Sequence, residues 1–166
     1  MLSKKYLTGK IGQEKIIMLE RDVYIEQVFP AIGKNYRLTS PHDFKYNCIA
    51  FAADDTDRWW WPGRYWPDGV PQKVDLPSFI ACYNSIGYED CNMDSSFEPG
   101  YEKVAIFVGQ FGFPTHAAKQ SLDDSGLWKS KLGEYKDIEH TIDGISGIFH
   151  RDSYGNVSAI LKRKAK

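Results

Sequence analysis

The sequence holds no apolar run near the eighteen or so residues that a membrane-spanning helix needs. Ile16-Ile17-Met18-Leu19 is the apolar stretch nearest the N-terminus, and it is too short for the hydrophobic region of a signal peptide. The expectation is a cytoplasmic chain with no membrane partner. Cysteine is scarce: Cys48, Cys82 and Cys91 make an odd number, which suits reduced thiols better than a disulfide framework. Metal-binding spacing is missing too. Cys82 and Cys91 stand too far apart for a zinc pair, and His42, His116, His140 and His150 are scattered. Asp54, Asp55 and Asp57 lack the Gly and the distal Glu of a calcium loop. Neither Gly-rich nucleotide fingerprint occurs. No metal and no cofactor is therefore expected. Excess charge is absent as well, with 21 basic against 22 acidic side chains and a net charge of −1. A broad electrostatic grip on nucleic acid is not expected of such a surface.

What the chain does hold is aromatic: five Trp, ten Tyr and nine Phe among 166 residues. The length suits one domain spanning 1–166, with 1–20 read as an N-terminal extension and 162–166 as a solvated basic tail. Leu19, Val23, Ile25 and Val28 suggest a short amphipathic helix stopped by Pro30, and Tyr36 to Thr39 a short strand. Asn47 is a good N-cap for an Ala-rich buried helix beginning at Cys48. Asp75 to Ser85 reads as a further helix. Strands are expected over Lys103 to Val108 and Asn156 to Leu161. A hairpin is expected from Thr115–Ser121 and Leu127–Lys131, turning through Asp123 and Gly126. Helices followed by an antiparallel sheet make an α+β pattern.

Cys48 carries the sharpest chemical signal. A sulfur in the first turn of a helix feels unpaired N–H groups, which favour its thiolate and lower its pKa. The competing reading is a small apolar filler. A nucleophilic Cys needs a base, and His116 in Thr115-His116-Ala117-Ala118 lies on a strand that a helix could approach over two alanines. The base needs an orienting partner for its other nitrogen. Hairpin register brings His116 opposite roughly Lys131 or Leu132, with Ser130 one slip away, and Ser130 can accept a hydrogen bond. His140 is another candidate orienter, and Asp137 and Glu139 are charged alternatives that read as solvated loop residues. Lys131 suits an anionic part of a substrate. Trp59, Trp60, Trp61 and Trp66 follow the candidate nucleophile directly, and three consecutive Trp cannot all face one side of an element. They are expected to border the same groove as Cys48 and bind substrate.

Tyr46-Asn47-Cys48-Ile49-Ala50-Phe51-Ala52 with the Trp-Trp-Trp-Pro run, Thr115-His116-Ala117-Ala118, Trp128-Lys129-Ser130-Lys131-Leu132-Gly133 and Asp137-Ile138-Glu139-His140 together resemble an uncharacterised bacterial domain family. Their order is similar to that of the NlpC/P60-like, papain-like cysteine hydrolases, over roughly residues 20 to 140. The resemblance implies a papain-like α+β fold, helices packed on an antiparallel sheet. It also implies Cys48 as nucleophile, His116 as base and the Ser130 region in third place, where those enzymes often carry His. A peptidase or amidase follows, acting on a peptide or protein amide through an acyl-enzyme. A deamidase or acyltransferase would use the same residues. The other class is a binding module on the same scaffold with the pair inert.

Overall fold

The structure, a computed structural model, describes residues 21–166 apart from Phe149. The extension expected over 1–20 lies outside the described residues. Among the described residues there are three α-helices, α1 (Val23–Val28), α2 (Cys48–Ala52) and α3 (Leu76–Asn84). The same residues form seven strands: β1 (Tyr36–Ser40), β2 (Glu89–Asp90), β3 (Tyr101–Val108), β4 (Pro114–Gln120), β5 (Leu127–Lys131), β6 (Asp137–Thr141) and β7 (Asn156–Lys164). They form one sheet in the order β1-β6-β5-β4-β3-β7-β2. Each neighbouring pair is antiparallel. Among the described residues no helix is long and apolar enough to cross a membrane.

This corrects the expected papain-like, helix-packed α+β arrangement. The fold is β-rich, and its helices have only six, five and nine residues. Local chemistry limits them. In α1, Asp22 accepts from the N–H groups of Tyr24 and Ile25, and Phe29 with Pro30 ends the helix one turn later. α2 stops where Asp54 takes a left-handed φ of 64°. Asp75 caps α3 through the Ser78 N–H, with a Pro in the first turn. Such helices cover the sheet without forming a layer of their own.

The sheet is nevertheless buried on both sides, which is why β3 is buried without a break from Lys103 to Phe107. On one face α2 and α3 bring Ile49, Phe51, Phe79 and Tyr83 down onto Val104, Ile106, Ala117 and Leu161. On the other, Ile25, Phe29 and Ile32 cover Ala105, Phe107, Ala118, Trp128 and Ile138. Alternation along β4 thus sends Ala117 toward α2 and its neighbours to the opposite side.

Two segments differ from the sequence expectation. Asp137-Ile138-Glu139-His140 forms β6, between β1 and β5, where its polar residues had concealed a strand. The supposed basic tail is largely the last turn-free stretch of β7. Arg163 is buried and donates to Glu102 at 2.6 Å, Asp54 at 2.8 Å and the Ile86 carbonyl at 3.1 Å. Its charge is spent inside the fold, while Lys164 and Lys166 remain exposed.

The loop before β7 is pinched by reciprocal hydrogen bonds between Gly147 and Gly155, 2.7 and 2.9 Å long. Gly155 has a φ of +82°, and a Cβ there would stand 2.0 Å from the Val108 carbonyl oxygen. Gly126, with φ +72°, has nothing within 4 Å. Gly155→Ala should cost more than about 3 kcal/mol, whereas Gly126→Ala should cost about 1 kcal/mol from backbone strain alone. Urea unfolding of the two variants checks this, and equal losses would disprove the close approach.

Candidate active site

A single buried amide sets the position of Cys48. Asn47 Oδ1 accepts from the Ala50 N–H at 3.2 Å, capping α2, and also from the Trp60 N–H at 3.1 Å. Its Nδ2 donates to the Trp60 carbonyl at 2.8 Å. The same side chain therefore starts the helix and ties down the aromatic loop. From above, the Tyr83 hydroxyl donates to the Ile49 carbonyl at 2.9 Å, locking α3 onto α2. α2 packs against both β4 and β5. Those strands pair only at Lys119–Lys129 and Gln120–Trp128, so the ladder opens toward His116 and Lys131. The sulfur of Cys48 sits at this opening, with the backbone N–H groups of Ala117, Ile49 and Cys48 itself close enough to favour its thiolate.

His116 enters the opening from the opposite face of the sheet. Its ring stacks on Tyr154 with centroids 3.9 Å apart and meets Phe107 edge-on at 5.4 Å. Its Nε2 is 2.8 Å from Ser130 Oγ, Ser130 Oγ is 2.7 Å from His140 Nε2, and His140 Nδ1 is 2.7 Å from the Thr141 carbonyl oxygen. A carbonyl can only accept, so His140 carries its proton on Nδ1. Burial pushes the His140 pKa down to about 4, so the ring is neutral and its Nε2 is a bare acceptor. The Ser130 hydroxyl donates there, and its oxygen accepts from the His116 Nε2–H. Burial, with the nearby His140, also holds the His116 pKa well below its ordinary value. Its Nδ1 is then a bare lone pair, and it has no hydrogen-bond partner. Strand pairing accounts for the chain: β4, β5 and β6 are adjacent, and each contributes one member. Ser130 and His140, alternative orienters in the sequence reading, act in series.

No hydrogen bond joins Cys48 and His116, whose Nδ1 is unpartnered. Burial pushes the Cys48 thiol up to about 11, against the pull of the surrounding N–H groups and Lys131. The sequence expectation of a depressed thiol pKa is thus corrected. At neutral pH the site rests as a thiol and a neutral imidazole, without an ion pair. Desolvation outweighs the partial charges of a five-residue helix.

The remaining candidates divide between interior and surface. Trp60 and Trp66 are core residues, and Trp60 Nε1 donates to Asp55 at 2.8 Å. Trp59 is partly exposed, with the Arg64 guanidinium 5.3 Å above its ring. Trp61 faces a groove of about 940 Å³ that also takes in Thr115, Leu132 and Tyr154. Lys131 is buried rather than open to a substrate. Its ammonium donates to the Tyr135 carbonyl and lies 5.1 Å from the Tyr46 ring centroid. The Tyr46 hydroxyl in turn donates to Asp137 at 2.8 Å. Sequence reasoning overlooked Tyr154, which stands between His116 and the groove. It sits in Asp152-Ser153-Tyr154-Gly155, where only an aromatic flanking a glycine hints at a packed role. All three cysteines are free thiols. Among the described residues no group of three His, Cys, Asp or Glu side chains is placed to hold a metal ion.

Residues 37–162 match a family described as a domain of unknown function (DUF7689), and the chain belongs to that family. No curated protein and no solved structure matches the chain.

The buried imidazoles make stability depend on pH. Both have folded pKa values below their unfolded ones. The unfolded chain therefore binds more protons below about pH 6.5, and the stability contributed by neutral histidine falls as pH drops through that value. Between about pH 7 and pH 5 each ring should contribute a loss on the order of 1 kcal/mol per pH unit. Urea midpoints across that window should fall less steeply in His140→Gln than in the wild type. An unchanged slope would show that His140 is not buried as a neutral ring.

Proposed function

We propose that the chain, as a member of this family, is a thiol-dependent amide hydrolase with Cys48 as nucleophile and His116 as general base. One observation carries the reading. A fully buried imidazole is held by Ser130, His140 and the Thr141 carbonyl in the tautomer that leaves Nδ1 bare, at the strand opening where α2 delivers a cysteine. Aligned neutral donors and acceptors that fix one tautomer are what a base requires. A purely structural histidine would be expected to have both nitrogens satisfied.

Chemistry starts from the neutral pair. As the sulfur attacks a substrate carbonyl carbon, the thiol proton passes to His116 Nδ1 and an S–C bond forms. The Ser130 hydrogen bond remains in place throughout, because Nε2 keeps its proton. The imidazolium then gives its proton to the leaving amine as the C–N bond breaks, leaving a thioester on Cys48. Water, deprotonated by His116, then attacks the thioester carbonyl; the C–S bond breaks, the acid leaves and the imidazolium returns its proton to the sulfur. The backbone N–H groups around the sulfur favour the negative charge that develops there.

A second reading rests on the burial of Cys48 and the absence of a hydrogen bond to His116. It makes the domain a binding module and the pair inert. Acylation by p-nitrophenyl acetate separates the two, with intact mass and peptide mapping locating the acetyl group. The hydrolase reading requires acetylation at Cys48 that His116→Ala slows by about a hundredfold or more. Ser130→Ala, which leaves Nε2 of both imidazoles without a partner, should slow it by roughly tenfold. Acetylation spread over Cys82 and Cys91, or a Cys48 rate indifferent to His116→Ala, would establish the binding module instead.

A further inference from the structure

Neither reacting group is open to solvent: Cys48 is 6% exposed and His116 0%. A groove of about 940 Å³ lies beside His116. Thr115, which precedes His116, and Tyr154, which stacks on it, form part of its wall. Much of the rest of the wall is apolar, with Glu134, Arg151 and Asp152 also on it. Phe29 packs on Tyr154 at 5.1 Å, and Trp61 closes the far side against Phe79 at 5.3 Å. The groove does not end at Tyr154. It shares Thr115, Arg151 and Ser153 with a second depression of about 160 Å³ beneath the β3–β4 turn. There Phe111 is 80% exposed, Phe113 56% and Ile148 57%. Arg151, between the two depressions, has a side chain 88% exposed and touches Asp152 only at 3.7 Å.

Exposed apolar side chains gathered along one line mark an interaction surface. A small ligand would fill the enclosed part and leave the hairpin tip bare. An extended chain covers both, because side chains two residues apart leave it on the same side, at a spacing of about 7 Å. The exposed guanidinium between the depressions can donate to the carbonyl groups of such a chain. We infer that the groove and the Phe111–Phe113 turn form one track for an extended apolar segment of a polypeptide, with an aliphatic or aromatic side chain seated between Trp61, Phe29 and Tyr154. As a substrate track this rests on the hydrolase reading. As a binding track it does not.

The test uses the full chain and two sets of probes. Tripeptide acyloxymethyl ketones carrying Phe, Leu, Asp or Lys next to the electrophile are compared for their rate of alkylation at Cys48, with iodoacetamide as the reference. The Phe and Leu probes should react about tenfold or more faster than the Asp and Lys probes, the discrimination that an apolar pocket provides. Phe29→Ala should remove most of that preference, read as the rate of each probe relative to iodoacetamide on the same variant. Equal rates for all four probes, with iodoacetamide alkylation still dependent on His116, would overturn the track and leave the dyad standing.

If Cys48 resists every electrophile, the hydrolase reading falls and binding decides the track. Pentapeptide amides rich in Phe and Leu are then titrated against Cys48→Ala by calorimetry. Binding weakened by Phe113→Ser, a change at an exposed position that spares the core, upholds the track. No binding up to about 1 mM, a free energy near −4 kcal/mol, overturns it. Sedimentation with phosphatidylcholine vesicles that Phe111→Ser abolishes, in the absence of peptide binding, would replace the polypeptide with a lipid surface.

Discussion

The buried amide of Asn47 is the constraint on which the site depends. Its carbonyl oxygen serves two backbone N–H groups and its NH₂ serves one backbone carbonyl, all within 3.2 Å. A side chain 2% exposed with both ends engaged has little freedom to move. Through it, the start of α2 and the position of Trp60 become one decision. Cys48 then falls at the opening between β4 and β5, and Trp61 falls on the groove. A helix of five residues could not hold a sulfur in register by itself, since short helices draw their stability from tertiary contacts.

The opening in the sheet is the second element of the design. Where β4 and β5 separate, backbone groups that would have paired become available to side chains. The Ala117 N–H turns to the sulfur, and the gap is spanned by His116 and Ser130. The three-strand chain from His116 to Thr141 combines two buried neutral imidazoles with one hydroxyl, and each donor along it has an acceptor. Only His116 Nδ1 and Asp137 Oδ1 are left over among the buried side-chain atoms described. The first belongs to the ring that Tyr154 covers. The second belongs to a carboxylate tied to Tyr46, the residue before Asn47.

Burial shapes the chemistry as much as placement does. A preformed thiolate–imidazolium pair would need solvent or strong countercharges to offset desolvation. Here the thiol is pushed up and the imidazole down, so the neutral pair is favoured at rest. Proton transfer then has to accompany attack. Tyr154 completes this closed environment by covering the His116 ring, on a loop pinned through Thr115, Val28 and Tyr24.

Much of this was legible locally. Asn47 followed by an apolar Ala-rich run determined the start of α2, because capping depends on one side chain and the N–H groups three residues on. The apolar stretch before Val108, the Asp75 cap and the register that puts Ser130 within reach of His116 are likewise short-range. The papain-like α+β arrangement was not determined by such signals. Helix length depends on where each segment meets the sheet, and here it is cut to one or two turns. β6 was hidden because its polar residues are buried against partners on other elements: His140 on Ser130 of β5, and Asp137 on Tyr46 before α2. Tertiary structure alone decided the sign of the Cys48 shift, since desolvation comes from every element packed around the sulfur. It also decided which tryptophans face the groove, because three consecutive indoles are divided between core and surface only by what packs above them.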